Sequence, residues 1–211
     1  MNLFLQSPDS QLEGRLQGVR SKSISNRLLI MSALSGNSID PENLSKSSDT
    51  RELYQALEKP SDTHQLEGGT SYRFLLAFRF AINRPVTLFP KASMEGRPIA
   101  PLVNALSTLG GRFEYLKKEG YPPVRFKGRS TSLPCDEVYV DCSISSQFAS
   151  ALALIAPYLD RTINIQLTEP VTSRSYLDLS LEMMHERGAD VEMKKNRIIC
   201  RPSHYTLSDP A

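Results

Sequence analysis

Residues 21–31 read SKSISNRLLIM. This pattern predicts a helix over 23–35 that begins with hydroxyl groups and two cations and then becomes too apolar for a surface position. Ser23 and Arg27 are four residues apart, so they share one helical face. The first N–H groups of a helix lack internal partners and carry the positive end of its dipole. With Lys22 and Arg27 added, this end suits a phosphate or carboxylate, although a capped helix with two solvated cations fits the same residues.

Two further segments, 70–82 and 145–157, are apolar on nearly every side and begin with hydroxyl residues, which are good N-caps. Helices of this kind lie inside a protein. Three others, 49–58, 98–109 and 175–187, have apolar residues at helical spacing on one face only. The chain therefore alternates buried and amphipathic helices.

The second and third pairs of helices end alike. Residues 109–114 read LGGRFE and residues 187–192 read RGADVE, in each case a helix-terminating glycine followed by a strand. A unit of strand, buried helix, strand, amphipathic helix and hairpin thus recurs, with a shortened first copy over 20–66. The expected fold is α+β, a pseudo-threefold repeat of βαβαββ units with buried helices and outer sheets. The predicted hairpins pair 112–117 with 124–127 and 190–194 with 197–201.

The composition excludes several classes of function. Twenty-five basic against 23 acidic residues leave a net charge of +2, which provides no field for nucleic acid. Three cysteines without Cys-x-x-Cys spacing indicate reduced thiols, and the three histidines show no metal-ligand spacing. The N-terminus lacks a signal-peptide pattern, and no apolar run reaches the ~18 residues that a membrane span needs. We therefore expect a soluble, cytoplasmic protein with no metal and no nucleic-acid or membrane partner.

Polar residues also gather where the other helices begin. Gly69 precedes Thr70 and Arg73, which share a face, so a ligand can approach the helix N-terminus there, although a tight turn also explains the glycine. Arg97 stands just before Pro98, a typical first residue of a helix. Its guanidinium can clamp an anion or simply lie on the surface.

The third buried helix opens with Ser145 and Ser146, although a cap needs only one serine. The segment 172–176, TSRSY, is a similar loop before a helix. No carboxylate is poised as a general base, and Glu67 and Asp141 are the nearest. The residues thus predict an anion-binding half-site without its acid–base machinery.

Six motifs in order resemble the N-terminal half of the 5-enolpyruvylshikimate-3-phosphate synthase family, over about residues 12–201. These 3-phosphoshikimate 1-carboxyvinyltransferases move the enolpyruvyl group of phosphoenolpyruvate onto the 5-hydroxyl of shikimate 3-phosphate. They need no cofactor and belong to the shikimate pathway of aromatic amino acid biosynthesis. The resemblance implies two domains of three repeated units, in agreement with the repeat above. The motifs are SKSISNR at 21–27, GTSYRF at 69–74, RPI at 97–99, GYPP at 120–123, SISSQF at 143–148 and SRSYLD at 173–178.

The resemblance also implies a role for each motif residue. Lys22 is the implied catalytic residue and touches phosphoenolpyruvate and the shikimate phosphate region. Ser23 and Arg27 hold the shikimate carboxylate. The other implied contacts are Ser145, Ser146 and Ser173 with the 3-phosphate, Gln147 against the ring, Tyr176 in the same pocket, Gly69 and Arg97 facing phosphoenolpyruvate, and Thr70 and Arg73 supporting that wall.

The chain departs from the family pattern at three places. Glu67-Gly68 replaces the usual Asn-Ala, and an anionic Glu67 disfavours phosphoenolpyruvate unless its carboxylate points away. Val19-Arg20 replaces Pro-Gly, and Ser175 replaces a proline.

The family's acid and base belong to a C-terminal domain that has no counterpart in these residues. We therefore expect a segment 1–20 that pairs with that missing domain, an N-terminal domain over 21–201 and the start of an interdomain crossover over 202–211. On this expectation the chain is a truncated or separately produced domain, inactive alone. Two alternatives remain, a non-catalytic anion-binding module and the related UDP-N-acetylglucosamine enolpyruvyl transferase. The Ser145-Ser146-Gln147 signature argues against the second.

Overall fold

The computed structural model describes residues 6–7, 10–11, 18–59 and 61–206. Short 3-10 helices cover Pro41–Asn43 and Ala156–Tyr158. The helices and strands in chain order are β1 (Gln6–Ser7), β2 (Ser10–Gln11), α1 (Lys22–Ser35), α2 (Ser48–Glu58), β3 (Thr63–Leu66), α3 (Gly69–Ala81), β4 (Val86–Pro90), α4 (Ala92–Glu95), α5 (Ala100–Thr108), β5 (Gly111–Tyr115), β6 (Val124–Arg129), β7 (Glu137–Asp141), α6 (Gln147–Ile155), β8 (Ile163–Thr168), α7 (Arg174–Glu186), β9 (Val191–Lys194) and β10 (Arg197–Cys200).

Two four-stranded sheets share one topology. Their orders are β3-β4-β6-β5 and β7-β8-β10-β9. In each sheet the first two strands are parallel, and the other neighbouring pairs are antiparallel. The predicted α+β repeat is therefore confirmed, with two complete βαβαββ units. In the described residues 18–59 the first copy consists of α1 and α2 and no strand, as a shortened copy requires.

The core lies where α1, α3 and α6 pack against one another. Every residue of α3 is buried, and α6 is buried from Phe148 to Ile155. α1 buries Leu29, Ile30 and Met31. Removing this much apolar surface from water is the main favourable term in folding, so it holds the three helices at the centre.

The predicted crossover, 202–211, is described only as far as residue 206, and there it forms no strand. Tyr205 is buried, and its hydroxyl donates to the Leu154 carbonyl at 2.7 Å. The Thr206 N–H donates to the Arg187 carbonyl at 2.8 Å. Residues 202–206 thus pack against the third unit. Most of the predicted segment 1–20 lies outside the described residues.

Among the described residues, no helix is both long and apolar enough to cross a membrane. The same residues contain no group of three or more side chains placed to hold a metal ion.

Candidate anion-binding site

A buried carboxylate organises the first turn of α1. The Nζ of Lys22, whose side chain is half-exposed, lies 3.3 Å from Oδ2 of Asp49. Asp49 is buried in the first turn of α2 and also accepts hydrogen bonds from Asn26 Nδ2 at 3.4 Å and Ser71 N–H at 3.2 Å. One side chain therefore joins α1, α2 and the N-terminus of α3. Asp49 was not predicted from the sequence, because an acidic residue early in a helix is ordinary.

A pair of glycines begins α3, with Gly68 as the N-cap and Gly69 as the first helical residue. A Cβ on Gly68 would lie 1.7 Å from Oδ1 of Asp49, so the carboxylate occupies the space of a side chain. A Cβ on Gly69 would lie 2.6 Å from an Nη atom of Arg73 and 3.2 Å from one of Arg97. From the sequence, the glycine could serve either the approach of a ligand or a tight turn. The structure adds a third reason for the glycines, namely room for charged side chains of this protein.

Arg73 connects three segments of the site. Its guanidinium donates to the Gly69 carbonyl at 3.2 Å, to the Pro98 carbonyl at 2.8 Å and to Oε1 of Gln147. It also lies 4.7 Å from the centre of the Phe148 ring, a distance typical of a cation–π contact. Through this one side chain, α3 contacts the loop before α5 and the first turn of α6.

Arg73 and Arg97 form a pair of neighbouring cations. Burial, and after it repulsion by Arg97, lowers the pKa of Arg73 to about 10, so the side chain stays charged at neutral pH. No described carboxylate lies within ion-pair distance of either guanidinium. Two like charges held together without a counter-ion favour a bound anion. Arg97 is exposed and can be reached from solvent.

The N-termini of α6 and α7 meet. Ser146 Oγ donates to the Ser173 carbonyl at 3.0 Å, and Ser145 Oγ accepts from the Gln147 N–H at 3.2 Å. Within the described chain, neither N-cap residue makes a side-chain capping bond. Ser145 takes the Gln147 N–H and the Ser173 carbonyl takes the Tyr176 N–H, and the remaining N–H groups of the two first turns can serve an anion. Ser173 has a left-handed backbone with φ of 56°. Such strain costs of order 1 kcal/mol and is common at binding sites.

Arg27 joins α1 to α7. Its guanidinium donates to Ser180 Oγ, to the Ser23 carbonyl and to the Tyr176 carbonyl, each at 2.7 Å. The residue is only 2% exposed, and burial lowers its pKa to about 10, so it too stays charged at neutral pH. These bonds use three of the five N–H groups of the guanidinium, which leaves two for a ligand. Ser180 was not predicted from the sequence, because its partner lies on a distant helix.

The two acidic residues named from the sequence make their described contacts outside the cluster of cations and serines. Asp141 accepts the Ser143 N–H at 2.9 Å, and its bonds with Ser143 lower its pKa. The Glu67 N–H donates to Glu52 Oε2 at 2.7 Å. Lys91 pairs with Glu52, which raises the pKa of Lys91, and Glu67 adds a weaker effect of the same sign. Neither Asp141 nor Glu67 takes part in the network of cations and serines.

Hydrogen bonds therefore link α1 to α7, α7 to α6, α6 to α3, and α3 to the loop of Arg97. Thr70 is buried in the first turn of α3, and Tyr176 is half-exposed at the start of α7. We call this arrangement the helix-terminus network. It includes the predicted residues Lys22, Ser23, Arg27, Gly69, Thr70, Arg73, Arg97, Ser145, Ser146, Gln147, Ser173 and Tyr176.

Comparison with known proteins decides the family. The family model described as EPSP synthase (3-phosphoshikimate 1-carboxyvinyltransferase) matches residues 65–209. The chain belongs to this family. It is 38% identical over 197 residues to the 3-phosphoshikimate 1-carboxyvinyltransferase of Bacteroides fragilis (strain ATCC 25285). The matched region covers 93% of this chain and 48% of that protein. It is 32% identical over 237 residues to that of Tolumonas auensis, covering all of this chain and 55% of the relative.

A solved structure agrees with the fold. EPSP synthase from Acinetobacter baumannii matches 92% of this chain with a TM-score of 0.67 at 19% identity, over 48% of its own length. The chain thus spans about half the length of the curated relatives and of the solved structure that it matches.

Proposed function

We propose that this chain is the substrate-binding half of an enzyme that transfers the enolpyruvyl group of phosphoenolpyruvate to the 5-hydroxyl of shikimate 3-phosphate. The observation that carries the proposal is the meeting of α6 and α7 through Ser146 and Ser173. Two helix N-termini lie side by side there, and the positive ends of their dipoles suit one phosphate group. Membership of the EPSP synthase family supports the choice of anion.

The 3-phosphate is bound by Ser145, Ser146 and Ser173 together with N–H groups of α6 and α7. The shikimate carboxylate lies between Ser23 and the two remaining N–H groups of Arg27. Hydrogen bonds join α1 to α7 and α6 to α7. The groups that bind the ligand are therefore held in place before the ligand arrives. Such preorganisation lowers the entropic cost of binding.

Phosphoenolpyruvate lies against Arg97 and Gly69, with Thr70 and Arg73 behind them. The paired cations supply the charge that a second polyanion requires beside the first. Lys22 exchanges its partner Asp49 for substrate and stabilises the charge that develops during transfer. The charge of Glu67 contributes to the raised pKa of Lys91.

The acid and base of the reaction are supplied by the remaining half of the enzyme. On this proposal residues 21–201 form the N-terminal domain, the segment 1–20 pairs with the C-terminal domain, and 202–211 begins the crossover between the two. The chain needs no cofactor. Its three cysteines are unpaired, which supports a location in the reducing cytoplasm.

Calorimetric titration of this chain tests the proposal. Shikimate 3-phosphate should bind, whereas shikimate and UDP-N-acetylglucosamine should not. Ser146→Ala should weaken binding about tenfold by removing the hydroxyl that joins the N-termini of α6 and α7 at the phosphate site, and Ser107→Ala on α5 should leave binding unchanged. If shikimate bound as tightly as shikimate 3-phosphate, the proposed phosphate site would be wrong. Phosphate release by this chain with both substrates would show that the acid and base lie within it.

A further inference from the structure

We propose that Arg73 is a positioning residue that orients the carboxamide of Gln147, so that Gln147 meets the bound substrate with its NH2 group. The inference rests on the proposed function, because it says how the same site presents one of its donors. It assigns Arg73 a part in the shikimate side of the site as well as the phosphoenolpyruvate wall.

The orientation of the carboxamide follows from the chemistry of the two side chains. A guanidinium has five N–H donors and no acceptor, so the atom of Gln147 that contacts it has to be the carbonyl oxygen. This conclusion holds whichever way the amide is drawn. The Nε2 atom is then on the other branch of the carboxamide and makes no hydrogen bond with any residue that the structure describes. Its two N–H groups remain for oxygen atoms of a ligand.

The surroundings of Arg73 show that it acts through its neighbours. The residue is only 4% exposed, and its guanidinium stacks on the Phe148 ring. Its bonds go to the Gly69 carbonyl, to the Pro98 carbonyl beside Arg97, and to Gln147. Each bond ends on a segment that carries a proposed binding residue.

The same helix offers a matched control in Arg79. Arg79 is equally buried, at 1% exposure, and burial lowers its pKa as well. Its guanidinium donates to the carbonyl groups of Ser61 and Pro85, in loops at the other end of α3. A change at Arg79 therefore reports the cost of disturbing a buried arginine without touching the site.

A double-mutant cycle tests the proposal by titration with shikimate 3-phosphate. Arg73→Lys and Gln147→Ala should each raise Kd about tenfold, and the double variant should raise it about tenfold as well, because the residues act as one unit. Arg79→Lys should change Kd less than twofold while lowering Tm as Arg73→Lys does. A hundredfold rise in the double variant, or equal losses of affinity in both lysine variants, would overturn the proposal.

NMR of the side-chain amide of Gln147 gives a second readout that needs no ligand. In Arg73→Lys its NH2 resonances should shift and broaden, whereas in Arg79→Lys they should stay in place. Unchanged resonances would overturn the proposal. If the wild-type chain does not bind shikimate 3-phosphate, the proposed function fails, yet this measurement still decides whether Arg73 orients Gln147.

If Arg73→Lys does not fold, the wild-type complex decides. Nuclear Overhauser effects should connect the Gln147 NH2 protons to the ligand. A ligand bound without them would contradict the inference.

Discussion

The Asp49 carboxylate fills the space that a side chain at position 68 would need. With alanine at position 68, Cβ would lie 1.7 Å from the carboxylate, and Asp49 would have to leave Asn26 and Ser71. We expect Gly68→Ala to lower the free energy of unfolding by about 2–4 kcal/mol, since buried hydrogen bonds are lost. Urea denaturation measures this change.

Gly96→Ala is the control for that prediction. Gly96 has φ of −85°, and an added Cβ meets no atom within 4 Å. The variant should match the wild type within about 0.5 kcal/mol or be slightly more stable. Equal destabilisation by the two alanines would show that Asp49 does not occupy the space beside Gly68.

Cys200 should make stability depend on pH in the alkaline range. Burial, and after it the charge of Asp190, raises the pKa of its thiol to about 12. In the unfolded chain the thiol ionises near pH 9, so its contribution is intact below pH 9 and is lost as pH rises toward 12. Between these two pH values the free energy of unfolding falls by about 1.4 kcal/mol per pH unit, because the unfolded state binds fewer protons than the folded state.

Cys200→Ala removes this slope and leaves every other titrating group in place. We expect the variant to be less stable at pH 8 and the difference to shrink between pH 9 and 11. Urea denaturation at each pH measures it. Parallel curves for the two proteins would mean that the Cys200 thiol ionises equally in both states.

Residues that share a helix could be predicted from spacing, and residues that meet from distant segments could not. Ser23 and Arg27 lie one turn apart, and the Arg27 guanidinium indeed reaches the Ser23 carbonyl. Asp49 and Ser180 were missed, because their importance depends on which helices become neighbours. Hydrophobic periodicity says which face of a helix is buried but not against which partner.

At the scale of elements, Arg27 ties α1 to α7 through two hydrogen bonds with charged donors, to Ser180 Oγ and to the Tyr176 carbonyl. Arg27→Met keeps most of the buried volume and removes these bonds, each of which is worth more than a neutral one. We expect a loss of about 2 kcal/mol or more in unfolding free energy, with faster hydrogen exchange in the first turns of α7.

Arg174→Met supplies the comparison on α7 itself. Arg174 pairs with Asp178 at 3.0 Å in an exposed i,i+4 ion pair. Removing such a pair should cost less than about 0.5 kcal/mol. If Arg27→Met lowered the free energy of unfolding as little as Arg174→Met does, the bonds of Arg27 would not be what holds α1 to α7.

The helix spans were predictable because glycines, hydroxyls and apolar periodicity mark them clearly. The predicted helix over 145–157 begins later, as α6 at Gln147, because Ser145 Oγ accepts the Gln147 N–H instead of continuing the helix. The hairpins of β5 with β6 and β9 with β10 match their predicted positions closely.

At the scale of the whole molecule, the repeat was visible in the sequence because two copies end with the same glycine-strand pattern. Strand order was not, because the partner of each strand depends on contacts between distant residues. The structure shows that β3 pairs with β4 and β7 with β8 in parallel, so each buried helix crosses over its own sheet. These two units and the shortened first copy place the N-termini of α1, α3 and α6 in one network.

The location of bound shikimate 3-phosphate tests the central claim most directly. Lys194, Lys195 and Arg197 border a groove on the outer sheet, where an anion could bind through charge alone. In 15N–1H correlation spectra of this chain, the account predicts ligand-induced shifts concentrated at 21–27, 145–148 and 173–177. Shifts confined to the outer groove, with the helix N-termini unchanged, would contradict it.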